Sequence, residues 1–126
     1  MKNNVIMIVE DEVSIQRLIK KILEFYSFEV KEYDNAETAL EDLENVSPCV
    51  ILSDIGLPGM DGFEFYSAIV KKMKGREIPV IFITGRTYDV HIKKKLETGK
   101  VDFLTKPFDP LTLKEIVERN IKKNDN

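Results

Sequence analysis

The chain has 126 residues, 43% of them hydrophobic and 33% charged, enough to bury one core and too few for a second domain of ordinary size. Its 19 basic and 22 acidic residues leave a formal net charge of -3, which excludes a surface built as a whole for nucleic acid or for an anionic membrane. The single cysteine, Cys49, excludes an intrachain disulfide and a cysteine-based metal cluster; it reads as a small hydrophobe in a reducing compartment.

Val5 to Val9 is an uninterrupted apolar run and predicts a strand covered on both faces, followed at once by the acids Glu10, Asp11 and Glu12. The run is too short and too soon followed by acids for a signal peptide, and no stretch approaches membrane-spanning length, so the expected location is the cytoplasm. Ile15, Leu18, Ile19, Ile22 and Tyr26 recur at helical spacing and predict a first helix. Phe28 to Lys31 alternates and predicts a less covered edge strand. Ala36, Ala39, Leu40, Leu43 and then Val46 mark a second helix, with Asp34 and Glu37 as its expected capping box.

Cys49 to Leu52 is a second apolar run and leads to Asp54. Phe63, Tyr66, Ile69, Val70 and Met73 predict a third helix ending near Gly75. The apolar run Val80 to Ile83 leads to Thr84, and a fourth helix is expected from about Tyr88 to Thr98, stopped by Gly99. Val101 to Leu104 is mixed, as in an edge strand, and leads to Lys106. A fifth helix is expected to open at Pro110 and to bury Leu113, Ile116, Val117 and Ile121. The sequence thus predicts one domain over 1–126, with its core at about 4–121 and a fraying polar tail at 122–126. Strand and helix alternate five times, which with right-handed crossovers predicts an α/β open parallel sheet with helices on both faces.

In such a sheet the C-terminal strand ends face one crevice. That crevice would gather Glu10, Asp11, Asp54, Thr84 and Lys106. Carboxylates forced together repel unless a proton or a cation relieves them. Mg2+ suits the role, because it binds through one or two carboxylates and completes its shell with water and phosphate oxygens. A carboxylate such as Asp54 can then act as nucleophile in phosphoryl transfer, with the Lys106 ammonium and the Thr84 hydroxyl neutralising and aligning the phosphoryl oxygens.

Four segments at these strand ends carry a resemblance: Val9-Glu10-Asp11-Glu12, Leu52-Ser53-Asp54-Ile55-Gly56-Leu57-Pro58-Gly59-Met60-Asp61-Gly62, Ile83-Thr84-Gly85 and Phe103-Leu104-Thr105-Lys106-Pro107-Phe108. From about Asn4 to Ile121 the chain resembles the receiver domain of two-component response regulators. The resemblance implies a flavodoxin-like fold with strand order 2-1-3-4-5 and phosphorylation of Asp54 by a sensor histidine kinase or a histidine phosphotransfer protein. It implies Asp11, Asp54 and the Gly56 backbone carbonyl as ligands of Mg2+ (or Mn2+), with Glu10 acting through a water. Lys106 would pair with the phosphoryl oxygens, Thr84 would swing toward them, and Phe103 would be the switch aromatic. The Lys106-Pro107 bond resembles one that the family keeps cis. The surface of the fourth helix, fifth strand and fifth helix is the implied output face, and a phosphorylation-dependent dimer through those helices is one arrangement open to it. Direct nucleic-acid or membrane binding is not implied. The exposed part of the first helix, with Gln16, Lys20 and Glu24, is the expected kinase-facing surface.

Several positions depart from the family pattern. Glu10 stands where aspartate is more frequent, Gly85 where alanine is usual, and Gly99-Lys100-Val101-Asp102 replaces a more usual Gly-Ala-Asp-Asp. Gly56 and Arg86 occupy the two positions that modulate loss of the phosphoryl group. Glycine cannot orient a water and Arg86 can cover the phosphoryl group, so slow autodephosphorylation is expected. Unchanged decay of the acyl phosphate in Gly56→Asn and Arg86→Ala would contradict it.

Other readings are weaker. A flavodoxin-like cofactor binder needs a small, phosphate-cradling loop after the first strand, where this chain has three acids. A phosphatase of the haloacid dehalogenase type needs a second acid where Gly56 stands. A degenerate receiver acting only as a phosphorylation-independent interaction module would have no need of the acids, Thr84 and Lys106. His91 has no histidine or cysteine partner nearby and is given no role, and Lys93 to Lys95 reads equally well as a solvated face or a binding patch.

Overall fold

The apolar runs become the centre of a parallel sheet of five strands, in the order β2-β1-β3-β4-β5. In this computed structural model, which describes residues 3–85 and 101–124, the strands are β1 (Val5–Val9), β2 (Glu29–Tyr33), β3 (Val50–Asp54), β4 (Val80–Thr84) and β5 (Val101–Thr105). The helices are α1 (Val13–Phe25), α2 (Ala36–Val46), α3 (Gly62–Lys72) and a C-terminal helix, Pro110–Asn124. The fourth helix expected from the sequence, with Arg86, His91 and Lys93 to Lys95, lies outside the described residues.

Alternation along each strand divides the core into two layers. Ile6, Ile8, Val50, Leu52, Ile81 and Ile83 face Ile19, Ile22 and Leu23 of α1 and Leu113, Ile116 and Val117 of the C-terminal helix. Met7, Val9, Ile51, Val80 and Phe82 face Ala36, Ala39 and Leu43 of α2 and Phe65 and Ile69 of α3. Placing α1 on one face and α2 and α3 on the other is what right-handed crossovers require when the strand order first steps back and then forward.

Four details correct the sequence reading. Leu18 is 45% exposed and Val70 55% exposed, so these two side chains stand at the edge of their helical stripes and add little of the ~1.5–3 kcal/mol that full burial supplies. The cap of α2 is Asn35, whose side chain accepts from the Thr38 amide at 2.8 Å, in place of Asp34. The capping box belongs instead to α3, where Asp61 accepts from the Glu64 amide and Glu64 returns a bond to the Asp61 amide. Finally, Gln16 is buried, and Lys20 is paired with Glu32 at 2.9 Å; of the expected kinase-facing trio only Glu24 is exposed.

Candidate functional site

The order β2-β1-β3 reverses direction between β1 and β3, and an open α/β sheet leaves its ligand crevice at such a point. Glu10 and Asp11 follow β1 directly, Asp54 is the last residue of β3, and Asp54 pairs with Ile83, so that Thr84 stands one step further out on β4. The carboxylates of Glu10, Asp11 and Asp54 each bring one oxygen within 4.8 Å of the others. Lys106 enters from the end of β5: its ammonium lies 3.1 Å from Glu10 Oε1 and 3.9 Å from Asp54 Oδ2. Its own amide donates to the Thr84 carbonyl at 2.7 Å, and the Lys106–Pro107 bond is cis.

Glu10 is fastened at every polar group. Its amide donates to the Tyr33 carbonyl at 3.0 Å, its carbonyl accepts from Gln16 Nε2 at 3.0 Å, and its second carboxylate oxygen accepts from the Glu12 amide at 3.1 Å. The side chain is fully buried, and this burial raises its pKa above the ordinary 4.5, helped by the nearby Asp54 charge and opposed by the Glu12 amide and by Lys106. Three hard oxygen donors, one of them held against its preference for neutrality, fit a small divalent cation.

A raised folded pKa means that the stability contributed by Glu10 is fully present below about pH 4.5 and is lost as pH rises through the folded value. Glu10→Gln can accept from only one of the Lys106 ammonium and the Glu12 amide, but without added metal it is expected to gain in stability relative to the wild type as pH rises from about 4 to about 8. Urea unfolding of both proteins at the two pH values checks this; a stability difference that stays constant or moves against the variant as pH rises would contradict it.

Around Asp54 the chain is shaped for close approach. The Gly56 amide donates to Asp54 Oδ1 at 3.3 Å, and buried Ser53 donates to the Asp54 carbonyl at 3.0 Å. Gly62 lies behind them: a Cβ there would stand 2.8 Å from the Asp54 carbonyl oxygen and 2.9 Å from the Ile55 Cα, so only glycine lets α3 start this near the strand. Gly56 and Gly85, by contrast, have open space where a Cβ would be. Phe103 is half-buried, its ring 5.8 Å from that of Phe82, and it joins the core layer of α2 and α3. Every sequence-predicted site residue but Arg86 is therefore placed, all at the C-terminal edge of the sheet or on the strand leading to it. Gln16 is the participant the sequence reading misassigned. The signal was present: residues 16, 19, 23 and 26 follow a core stripe, and a glutamine on such a stripe needs buried partners.

Among known families, the response regulator receiver domain matches residues 6–118. The chain is 36% identical over 114 residues to the phosphate regulon transcriptional regulatory protein PhoB of Escherichia coli (strain K12), covering 90% of the chain and 48% of that protein. It is also 34% identical to an uncharacterized 14.6 kDa protein of Leptolyngbya boryana, covering 90% of the chain and 87% of that protein. The chain thus spans about half the length of the regulatory protein and most of the shorter relative. Among solved structures, the Vibrio cholerae chemotaxis protein CheY4 superposes with a TM-score of 0.86 at 28% identity, over 94% of this chain and 98% of that one. The receiver domain of the sensor histidine kinase PA1611 from Pseudomonas aeruginosa PAO1, solved with magnesium coordinated in its active-site cleft, gives 0.84 at 28% identity, over 96% and 99% of the two chains. With the matching fold and the acidic cluster that is typical of a receiver's Mg2+ site, the chain belongs to the response regulator receiver domain family, a signalling module of two-component systems.

Proposed function

We propose that the chain accepts a phosphoryl group on Asp54 from a phosphohistidine of a sensor histidine kinase or a histidine phosphotransfer protein. The observation that carries this reading is the convergence of three carboxylates within 4.8 Å with one ammonium 3.1 Å from Glu10 and 3.9 Å from Asp54. Residues 1–126 are assigned to one receiver domain.

Asp54 is the nucleophile. One of its carboxylate oxygens bonds to phosphorus as the phosphorus–nitrogen bond breaks, and the histidine nitrogen leaves with the electron pair, to be protonated by solvent. Lys106 stands beside Asp54 already and balances the charge that gathers on the phosphoryl oxygens. Asp11, Asp54 and the Gly56 carbonyl are the residues proposed to hold Mg2+ or Mn2+, with Glu10 behind them through a water. Bound there, the cation supplies Lewis-acid neutralisation of phosphoryl oxygens. Thr84 contributes its hydroxyl to the new phosphate, and Phe103 takes up the space that Thr84 vacates. That movement would repack β5, the C-terminal helix and the fourth helix expected from the sequence, and so alter affinity for a downstream partner, by about 1–3 kcal/mol in an ordinary switch.

Incubation with a phosphohistidine donor tests this. The wild type is expected to carry the acyl phosphate on the peptide containing Asp54, and Asp54→Asn to carry none. Transfer to another residue, or equal transfer to both proteins, would sink the assignment. Failure of every donor would instead favour the phosphorylation-independent interaction module.

A further inference from the structure

The acidic pair after β1 has a support that lies outside the crevice. Gln16, in the first turns of α1, is 8% exposed. Its Nε2 lies 3.0 Å from the Glu10 carbonyl, 3.2 Å from the Tyr33 carbonyl and 3.3 Å from Asp34 Oδ1. All three neighbours accept hydrogen bonds, so the amide can stand there only with its nitrogen inward. The Tyr33 carbonyl also takes the Glu10 amide. One side chain therefore joins the end of β1, the end of β2 and the start of α1.

We infer that Gln16 is a positioning residue for the divalent-cation site: by holding the Glu10 carbonyl it fixes the backbone from which the Glu10 and Asp11 carboxylates project. This inference rests on the reading of Glu10, Asp11 and Asp54 as a cation site. The physical argument is one of restraint. Glu10 is held at its side chain by Lys106 and by the Glu12 amide, but Asp11 is exposed and depends on the backbone for its place. Without the Gln16 amide, the Glu10 carbonyl loses that bond and the Glu10–Asp11 peptide gains freedom to turn. Partners that orient metal ligands typically matter about 10–100-fold in affinity.

Gln16→Met keeps the length and volume of the side chain and removes the donor. Calorimetric titration of the full chain with Mg2+ alone is expected to show binding about tenfold weaker than wild type. Phosphorylation by acetyl phosphate should then need about tenfold more Mg2+ for half-maximal rate while reaching the wild-type maximum. In the metal-free protein, the Glu12 amide should exchange with solvent faster than in the wild type. A purely structural role would lower the thermal midpoint and leave the Mg2+ dependence unmoved. If Gln16→Met does not fold, Gln16→Asn, whose amide is one methylene too short to reach the Glu10 carbonyl, is measured in its place. Mg2+ affinity within twofold of wild type overturns the role of Gln16 alone; a wild type that binds no Mg2+ overturns the cation site and this inference with it.

Discussion

Lys106→Ala is expected to separate two roles that the wild type combines. In the metal-free protein the ammonium is the only cation among the described residues within 4 Å of Glu10 or Asp54. Removing it leaves a fully buried Glu10 beside Asp54 with no counter-charge, and the carboxyl answers by taking up a proton or by destabilising the fold. Because Lys106 is itself 22% exposed, the loss is smaller than for a wholly buried pair, about 2 kcal/mol at neutral pH. The backbone bond from residue 106 to Thr84 does not depend on the side chain, so the strand end should persist.

Added Mg2+ should restore more stability to Lys106→Ala than to the wild type. The variant's carboxylates no longer share their charge with an ammonium, and removal of about 1.4 kcal/mol of repulsion is tenfold in affinity. Phosphoryl uptake should nevertheless fall about a hundredfold at saturating Mg2+, since the donor proposed to balance the developing charge is missing, while some uptake persists because Asp54, the proposed acceptor, remains. Calorimetry, urea unfolding and acetyl phosphate kinetics on one preparation measure all three effects. Wild-type kinetics, or Mg2+ binding weaker than wild type, would contradict the role given to Lys106.

The physical origin of the fold was readable where burial is two-sided. Val5 to Val9 and Val80 to Ile83 are apolar without interruption because both pleat faces meet helices, and they became central strands β1 and β4. The crevice followed from position alone, since Glu10, Asp11, Asp54, Thr84 and Lys106 sit at or just beyond strand ends. What was misread depended on angles within a helical stripe or on competition between neighbouring caps. Leu18 and Val70 lie one position from true core residues, Ile19 and Ile69, and a single step of about 100° decides the matter. Asp34 and Asn35 are both good caps, and their order along the chain does not say which backbone turns first. The Lys106–Glu10 pair was not foreseen either. The sequence assigned the lysine to incoming phosphate, whereas across a gap of 96 residues it already balances the buried acid. Glutamate at position 10 reaches that ammonium while its other oxygen meets the Glu12 amide.

Gln16 shows a different limit. A glutamine on the first helix reads as a surface residue by composition, and only its register with Ile19, Leu23 and Tyr26 betrays that it points inward. Its partners are two backbone carbonyls and an aspartate oxygen at the ends of β1 and β2. They become neighbours only once the parallel pairing of Val9 with Tyr33 is known.

Asp54→Asn has the largest expected effect of any substitution, because the amide removes the oxygen anion proposed to attack phosphorus while preserving shape. The Gly56 amide bond and the packing of β3 against Gly62 do not require a charge, so the variant should fold, and with one carboxylate fewer beside Glu10 it relieves a repulsion that the wild type carries. Loss of uptake with retained folding would then belong to chemistry and not to structure. The direct measurement is intact mass of wild type and Asp54→Asn after incubation with acetyl phosphate, with and without Mg2+. A gain of one phosphoryl group by the wild type alone, and only with Mg2+, is the predicted result; a gain of equal size by Asp54→Asn, or by the wild type without metal, would contradict it.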